Sequence, residues 1–457
     1  MLFQTWTFLL FFTILYFLFR SIKNSTGRQY LILAASFIFY GWFNPLYPLF
    51  LLWIIAADYI FLLLMEKTGK RRLFLILSIT NSLIFLSSFK YAGFITSNIN
   101  ELLVITGNPY RLPQPDILLP IGISFFIFIS MGYVIDFYFG KVDREKNFGR
   151  HALFVSFFPQ LSAGPIARAS GLLPQLQHWD RGKGSDLAEG AYIFIRGLFK
   201  KIALADFFAL YADKIFGNPA QFGSADLVLG ALAFTWQIYF DFSGYTDMAR
   251  GIARCFGIEL MENFRLPYMA ASTGDFWGRW HISLSSWFRD YLYIPLGGNR
   301  KGKLTESRNT MITMLLSGLW HGAAWNFVLW GFIHGALHVM GKLIGRFRII
   351  KITPVFIRRI VVFILIVFTW IFFRAESGAD AFSYIAGIFN SGYAAPSMPL
   401  LMFIIMTLCY LYGWFKEYGL LNFMEKPAVK SIASIIMLAW ILIFASSDAS
   451  DFIYFQF

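Results

Sequence analysis

Six histidines are the first candidates for chemistry in this 457-residue chain: His151, His178, His281, His321, His334 and His338. Imidazole exchanges protons nearest neutral pH, so each is a potential general base or metal ligand. His321 interrupts an apolar stretch and is flanked by Gly318, Gly322, Ala323 and Ala324. A polar group at membrane depth is expensive and functional by default, with a packing histidine bonded across helices as the alternative, and the small residues let another backbone or a thin ligand come close. His281 closes the run Trp277-Gly278-Arg279-Trp280-His281. Interfacial Trp and snorkelling Arg describe a membrane anchor, and the histidine is the part an anchor does not need. His334 and His338 stand four apart on one helix face, a metal-like spacing, but no Asp or Glu in the run completes a site. Structural or cavity-lining histidines are the better reading there, and no metal is expected. His151 and His178 sit among polar neighbours and read as solvated surface residues.

Three acids fall in otherwise apolar segments: Asp136, Asp241 and Asp247. Ion pairs with basic residues such as Arg196, Lys200 and Lys201 are their first reading, and a proton path is the alternative. Cys255 and Cys409 suggest neither a disulfide framework nor a thiolate metal site. The chain carries no Walker A loop, no Rossmann glycine fingerprint and no GxSxG elbow, so an ATP-driven pump or a serine hydrolase lacks its signature.

The elements that position these residues follow from composition. The chain is 57% hydrophobic and 14% charged, with 20% aromatic residues. A soluble domain carries roughly 25% charge, so a soluble enzyme, a disordered chain and a disulfide scaffold are excluded. An all-α polytopic membrane protein remains. Apolar runs at 2–19, 29–43, 46–65, 73–91, 117–140, 189–216, 225–248, 360–373, 398–415 and 431–447 read as spans, and 309–345 as a hairpin. Together they predict about 11 to 12 crossings. The first 20 residues lack a basic leader and a cleavage site and read as a retained span. Segments 141–187 and 249–308 are broken by Gly, Pro and Arg and read as re-entrant or interfacial. The expected organisation is one domain, 1–457: N-terminal spans 1–140, a core 141–345 and C-terminal spans 346–457.

The net charge of +13 is concentrated. Segments 20–28, 66–72, 141–150 and 297–308 hold fifteen Lys/Arg against four acids. That is the positive-inside pattern, with anionic lipid head groups as counter-charge and no nucleic acid required. It puts these loops in the cytoplasm, segment 92–116 on the outer face, and both termini outside.

Six stretches carry a family resemblance: LPIGISFFIF at 119–128, FFPQLSAGPIAR at 157–168, FDFSGYTDMARG at 240–251, NFRLPY at 263–268, FWGRWHISLSSWFRDYLYIPLGGNR at 276–300 and LSGLWHGAAWNFVLWGFIHG at 316–335. In this order they resemble the membrane-bound O-acyltransferase (MBOAT) family, in its bacterial branch of alginate O-acetylases, peptidoglycan O-acetyltransferases and D-alanyl transferases. The DFIYFQF ending at 451–457 is similar to the alginate-type branch. The resemblance implies a tunnel through the membrane, a cytoplasmic acyl donor and a hydroxyl acceptor outside. It implies His321 as the principal catalytic histidine and His281 as the second polar position. The donor would be acetyl-CoA or another acyl thioester, on coenzyme A or an acyl carrier protein, with no bound cofactor. Trp320, Trp325 and Asn326 are then candidates to support an oxyanion. Arg168, Arg279, Arg289 and Arg300 are candidates for the donor phosphates, although positive-inside anchoring explains the same arginines. The acceptor would be an envelope polysaccharide or an extracytoplasmic SGNH-type relay partner, and the location the bacterial cytoplasmic membrane. Acetyl transfer is the leading expectation; D-alanyl transfer to teichoic acid, a lipid-linked glycan transporter or flippase, and an assembly scaffold are the alternatives.

Overall fold

Apolar stretches punctuated by capping residues become helices along this chain. Thr5 caps α1 (Trp6–Ser21) and Asn24 caps α2 (Ser25–Gly41), each side chain accepting a first-turn N–H. Pro48 opens α3 (Tyr47–Thr68), and Gly69 closes it with φ of 69°. The computed structural model describes residues 1–179, 182–345, 352–444 and 452–453. Every regular element among these is helical. Five stretches are long and apolar enough to cross a bilayer: Tyr47–Thr68, Arg71–Ile105, Trp325–Ile344, Val355–Arg374 and Leu400–Glu417. Trp6–Ser21, Ile123–Tyr138 and Pro427–Ile443 are shorter apolar helices. The chain forms two compact units, Met1–Ala191 with Ala249–Met261, and Tyr192–Met248 with Glu262–Phe457.

The first unit continues with α4 (Arg71–Leu86), α5 (Ala92–Ile105), α6 (Ile123–Tyr138), α7 (Phe148–Ser156), α8 (Phe158–Leu161) and α9 (Ala169–Gln177). A π-helical turn, Ser87–Tyr91, joins α4 to α5, so the start of the expected outer segment, 92–105, is a helical extension. Helix α6 is buried on all sides from Ile123 to Phe137, which explains its continuous apolar sequence. Asp58 of α3 accepts hydrogen bonds from Ser78 of α4 and Ser130 of α6, both at 2.6 Å. One buried carboxylate thus ties three helices, as polar groups do where no water competes. Asp136 pairs locally, with Lys141 at 3.2 Å. His178 is exposed as expected. His151 is not: it is fully buried, its ring 5.4 Å from Tyr59 and 5.5 Å from Tyr133. Its neighbours Gly149 and Arg150 gave a polar reading, but α7 turns the histidine onto its core-facing side.

The second unit takes the C-terminal half of α10 (Gly184–Phe199), a π-helical segment Lys200–Ala205, α11 (Asp206–Gly217) and most of α12 (Ser224–Cys255). The short α13 (Thr273–Arg279) and α14 (Ile282–Phe288) follow, in the region expected to be irregular. Then come α15 (Lys303–His321), α16 (Trp325–Ile344), α17 (Val355–Arg374), α18 (Gly378–Asn390), α19 (Leu400–Glu417) and α20 (Pro427–Phe444). Helices α15 and α16 form the expected hairpin, and α17 packs on α16. A Cβ at Gly318 would overlap the Phe327 carbonyl, and one at Gly331 would overlap the Met314 carbonyl. Only glycine allows this backbone approach. Helices α19 and α20 present Leu400, Phe403, Ile435 and Ile443 outward, a surface suited to lipid and not to water. Most of the DFIYFQF ending, the basic residues 346–351 and the end of the span expected at 431–447 lie outside the described residues.

Candidate active site

The hairpin sets the position of His321. It is the last residue of α15, 2% exposed, and Gly322 follows in an extended conformation. A side chain at Gly322 would run into the Phe327 ring. Around the His321 ring lie Trp320 at 5.0 Å, Trp330 at 5.1 Å and Phe373 at 5.5 Å between centroids.

His281 arrives from elsewhere in the same unit. It joins α13 to α14 and is fully buried, with φ of 42°. Only Leu266, with φ of 47°, is the other non-glycine residue in the left-handed region among the described residues. Such a conformation costs about 1–3 kcal/mol and persists where its surroundings enforce it. Here the enforcing segment is 263–265. The Asn263 carbonyl accepts the Ile282 N–H at 3.0 Å, and Asn263 Oδ1 accepts the Ser283 N–H at 3.0 Å. The Arg265 N–H donates to the Arg279 carbonyl, also at 3.0 Å. The NFRLPY stretch is therefore the brace that holds His281 in its turn. The His281 ring lies 4.6 Å from Phe242, 5.9 Å from Trp320 and 6.5 Å from His321. Two histidines 40 positions apart in the chain thus share one buried aromatic enclosure.

Asn263→Ala removes the acceptor of a buried N–H, a loss of about 1–3 kcal/mol. The expected result is a fall in turnover of about tenfold or more, with most turnover kept by Asn263→Asp, which retains the acceptor. Steady-state rates of the two purified variants check this.

The other expected residues divide. Trp320 is buried beside both histidines. Trp325 is 63% exposed at the start of α16. The Asn326 side-chain amide donates to the Ala375 carbonyl at 2.8 Å, fastening α16 to the end of α17. Arg279 is held by Asp275 at 2.7 Å and by Glu417 at 2.8 Å, and Arg359 shares that glutamate. Arg289 is a largely exposed partner of Asp290, and Arg300 is exposed. Arg168 belongs to the first unit, half-buried at the start of α9. His334 is enclosed by Trp330 at 4.6 Å and Trp277 at 5.1 Å. Among the described residues no three His, Cys, Asp or Glu side chains converge as metal ligands.

The buried acids find the expected cations. Asp241 pairs with Lys201 at 2.8 Å, and Asp247 pairs with Arg196 at 3.1 Å and Lys200 at 2.7 Å. The adjacent lysines, at the start of a π-helical segment that sequence periodicity does not show, serve different acids. Asp241 also accepts the Ile453 N–H at 2.7 Å, and the Phe452 ring stacks on Tyr245 at 4.6 Å.

A cavity of about 1000 Å³ opens within the second unit. Apolar residues of α12, α19 and α20, such as Trp236, Leu408 and Ile436, form one part of its wall. Arg196, Lys200 and Lys416 form a charged part, and Asn263 lines it as well. Neither His281 nor His321 is in the wall, so Asn263 is the link between the cavity and the histidine turn.

Comparison with known proteins identifies the class of this helical membrane protein. The family model for membrane-bound O-acyltransferases matches residues 147–377, which include both histidines. The chain belongs to the MBOAT family and is an acyltransferase. It is 38% identical over 439 residues to the probable alginate O-acetylase AlgI of Azotobacter vinelandii, covering 93% of this chain and 86% of that protein. Identity to the peptidoglycan O-acetyltransferase of Helicobacter pylori is 32%, with coverage of 95% and 92%. The teichoic acid D-alanyltransferase of Bacillus subtilis is 30% identical over 55% of this chain and 67% of its own length.

Proposed function

We propose that this acyltransferase moves an acetyl group from a thioester on the cytoplasmic side of the bacterial inner membrane to a hydroxyl on the outer side. The hydroxyl belongs to an envelope polysaccharide or to a relay serine on an SGNH-type partner. The observation that carries the reading is the 6.5 Å approach of His281 and His321 inside a closed aromatic site. A thioester carbonyl is already activated, so the enzyme's task is to make an alcohol nucleophilic. His321 takes the hydroxyl proton as the oxygen attacks the carbonyl carbon. The tetrahedral intermediate collapses, the C–S bond breaks, and the imidazolium returns the proton to the thiolate. The products are an ester and a free thiol. The C-terminal end of α15 carries the negative pole of the helix dipole, which favours the transient imidazolium. His281 orients the donor or stabilises the oxyanion, with the Trp320 indole N–H as a second donor.

Acetyl is favoured over D-alanyl because the two proteins named for acetylation align over most of this chain, and the D-alanyltransferase aligns over about half. The test is mass spectrometry of base-labile esters in envelope polymers from strains carrying the gene, lacking it, or carrying His321→Ala. Acetate released only from the first strain supports the proposal. D-alanine in its place assigns the other acyl group. Lost glycan export with unchanged acylation would contradict acyl transfer.

A further inference from the structure

Arg196 and Lys200 lie one helical turn apart and donate to the two oxygens of a single carboxylate, Asp247. About a quarter of the Arg196 side chain and a fifth of the Lys200 side chain stay accessible, and both line the cavity. Lys416 of α19 lines the same wall, lies within electrostatic range of Lys200, and pairs at 3.8 Å with Glu425, which Lys430 shares. Other cations of the wall are matched: Arg265 has Glu262, and Arg279 has both Asp275 and Glu417. The cavity therefore gathers three cations, Arg196, Lys200 and Lys416, with Asp247 and the shared Glu425 as their carboxylates, beside an apolar wall where the remaining positive charge is costly unless an anion shares it. The arginines first considered for this duty are neutralised, exposed or in the other unit.

We infer that Arg196, Lys200 and Lys416 clamp the phosphate of a phosphopantetheine thioester. This assignment rests on the acyl-thioester reading of the site. The chain of such a donor would run along the apolar wall toward Asn263, the residue that braces His281. Coenzyme A and acyl carrier proteins share this phosphopantetheine arm, so one clamp serves either source. Arg and Lys donating to phosphate make charge-assisted hydrogen bonds.

Binding measurements on the purified full-length protein test the clamp without requiring turnover. The probes are 4′-phosphopantetheine and pantetheine, which differ by the phosphate alone. Wild type and His321→Ala should both prefer the phosphorylated probe, by roughly ten- to a hundredfold. Arg196→Gln and Lys200→Gln should reduce that preference toward one with little change for pantetheine, and Arg196→Lys should keep most of it. Equal binding of both probes by wild type, or equal loss of both in the variants, overturns the clamp. Native mass spectrometry covers a lipid source of the same chemistry. An anionic phospholipid that co-purifies with wild type and is lost in Arg196→Gln, with the probe preference intact, assigns the cations to a lipid head group and overturns the donor assignment. A phosphate preference in a protein that transfers no acyl group would leave the clamp standing and overturn the proposed reaction.

Discussion

His321→Ala lowers acyl transfer by about 10²–10⁴-fold, the contribution of a positioned general base. The imidazole is buried against Trp320, Trp330 and Phe373, so its removal also leaves a void costing about 2–4 kcal/mol. His321→Gln separates the two effects. It fills more of the space and should restore much of the thermal stability, while a neutral amide cannot take the proton. Turnover with a thioester donor and a melting curve in detergent, read together, check the result. A catalytic role requires both variants to lose turnover alike. A packing role requires turnover to follow stability.

His281→Gly carries the second large effect, and its two readouts move apart. With φ of 42°, the histidine holds a conformation that glycine adopts freely. The substitution relieves about 1 kcal/mol of backbone strain and offsets part of the packing lost against Phe242. Transfer should nevertheless fall by about 10²–10³-fold, the usual effect of removing one oxyanion donor. His281→Asn is the contrasting variant: asparagine tolerates the left-handed region better than most residues and its amide still donates, so it should keep more of the rate than glycine. Rates near wild type in His281→Gly would reduce the segment to a structural turn.

Much of the architecture was legible because lipid imposes simple rules. Runs such as 46–65 and 398–415 correspond to α3 and α19 within a few residues, and the 309–345 hairpin follows from length and the glycine-rich break. His321 and Asp247 were conspicuous as polar groups in apolar surroundings, and the cations expected beside Asp247 are there. The rest depends on contacts between distant segments. Arg279 looked available in its own sequence, but its charge is matched by Glu417, 138 positions away. Trp325 and Asn326 stand next to the histidine motif, yet the helix start exposes the first and turns the second to Ala375. Asn263 drew no notice as a site residue because its role is to hold another segment's backbone. His151 shows the opposite failure: polar neighbours in sequence proved to be on a different side of a short helix.

The central claim is that His321 drives passage of an acyl group from a thioester on one side of the membrane to a hydroxyl on the other. The most direct test uses sealed inverted vesicles given a thioester labelled in its acyl group. Base-labile label should accumulate inside wild-type vesicles, on envelope polymer or a relay protein, and be absent with His321→Ala. Equal label in the two preparations, or label confined to the outer side, would contradict the account.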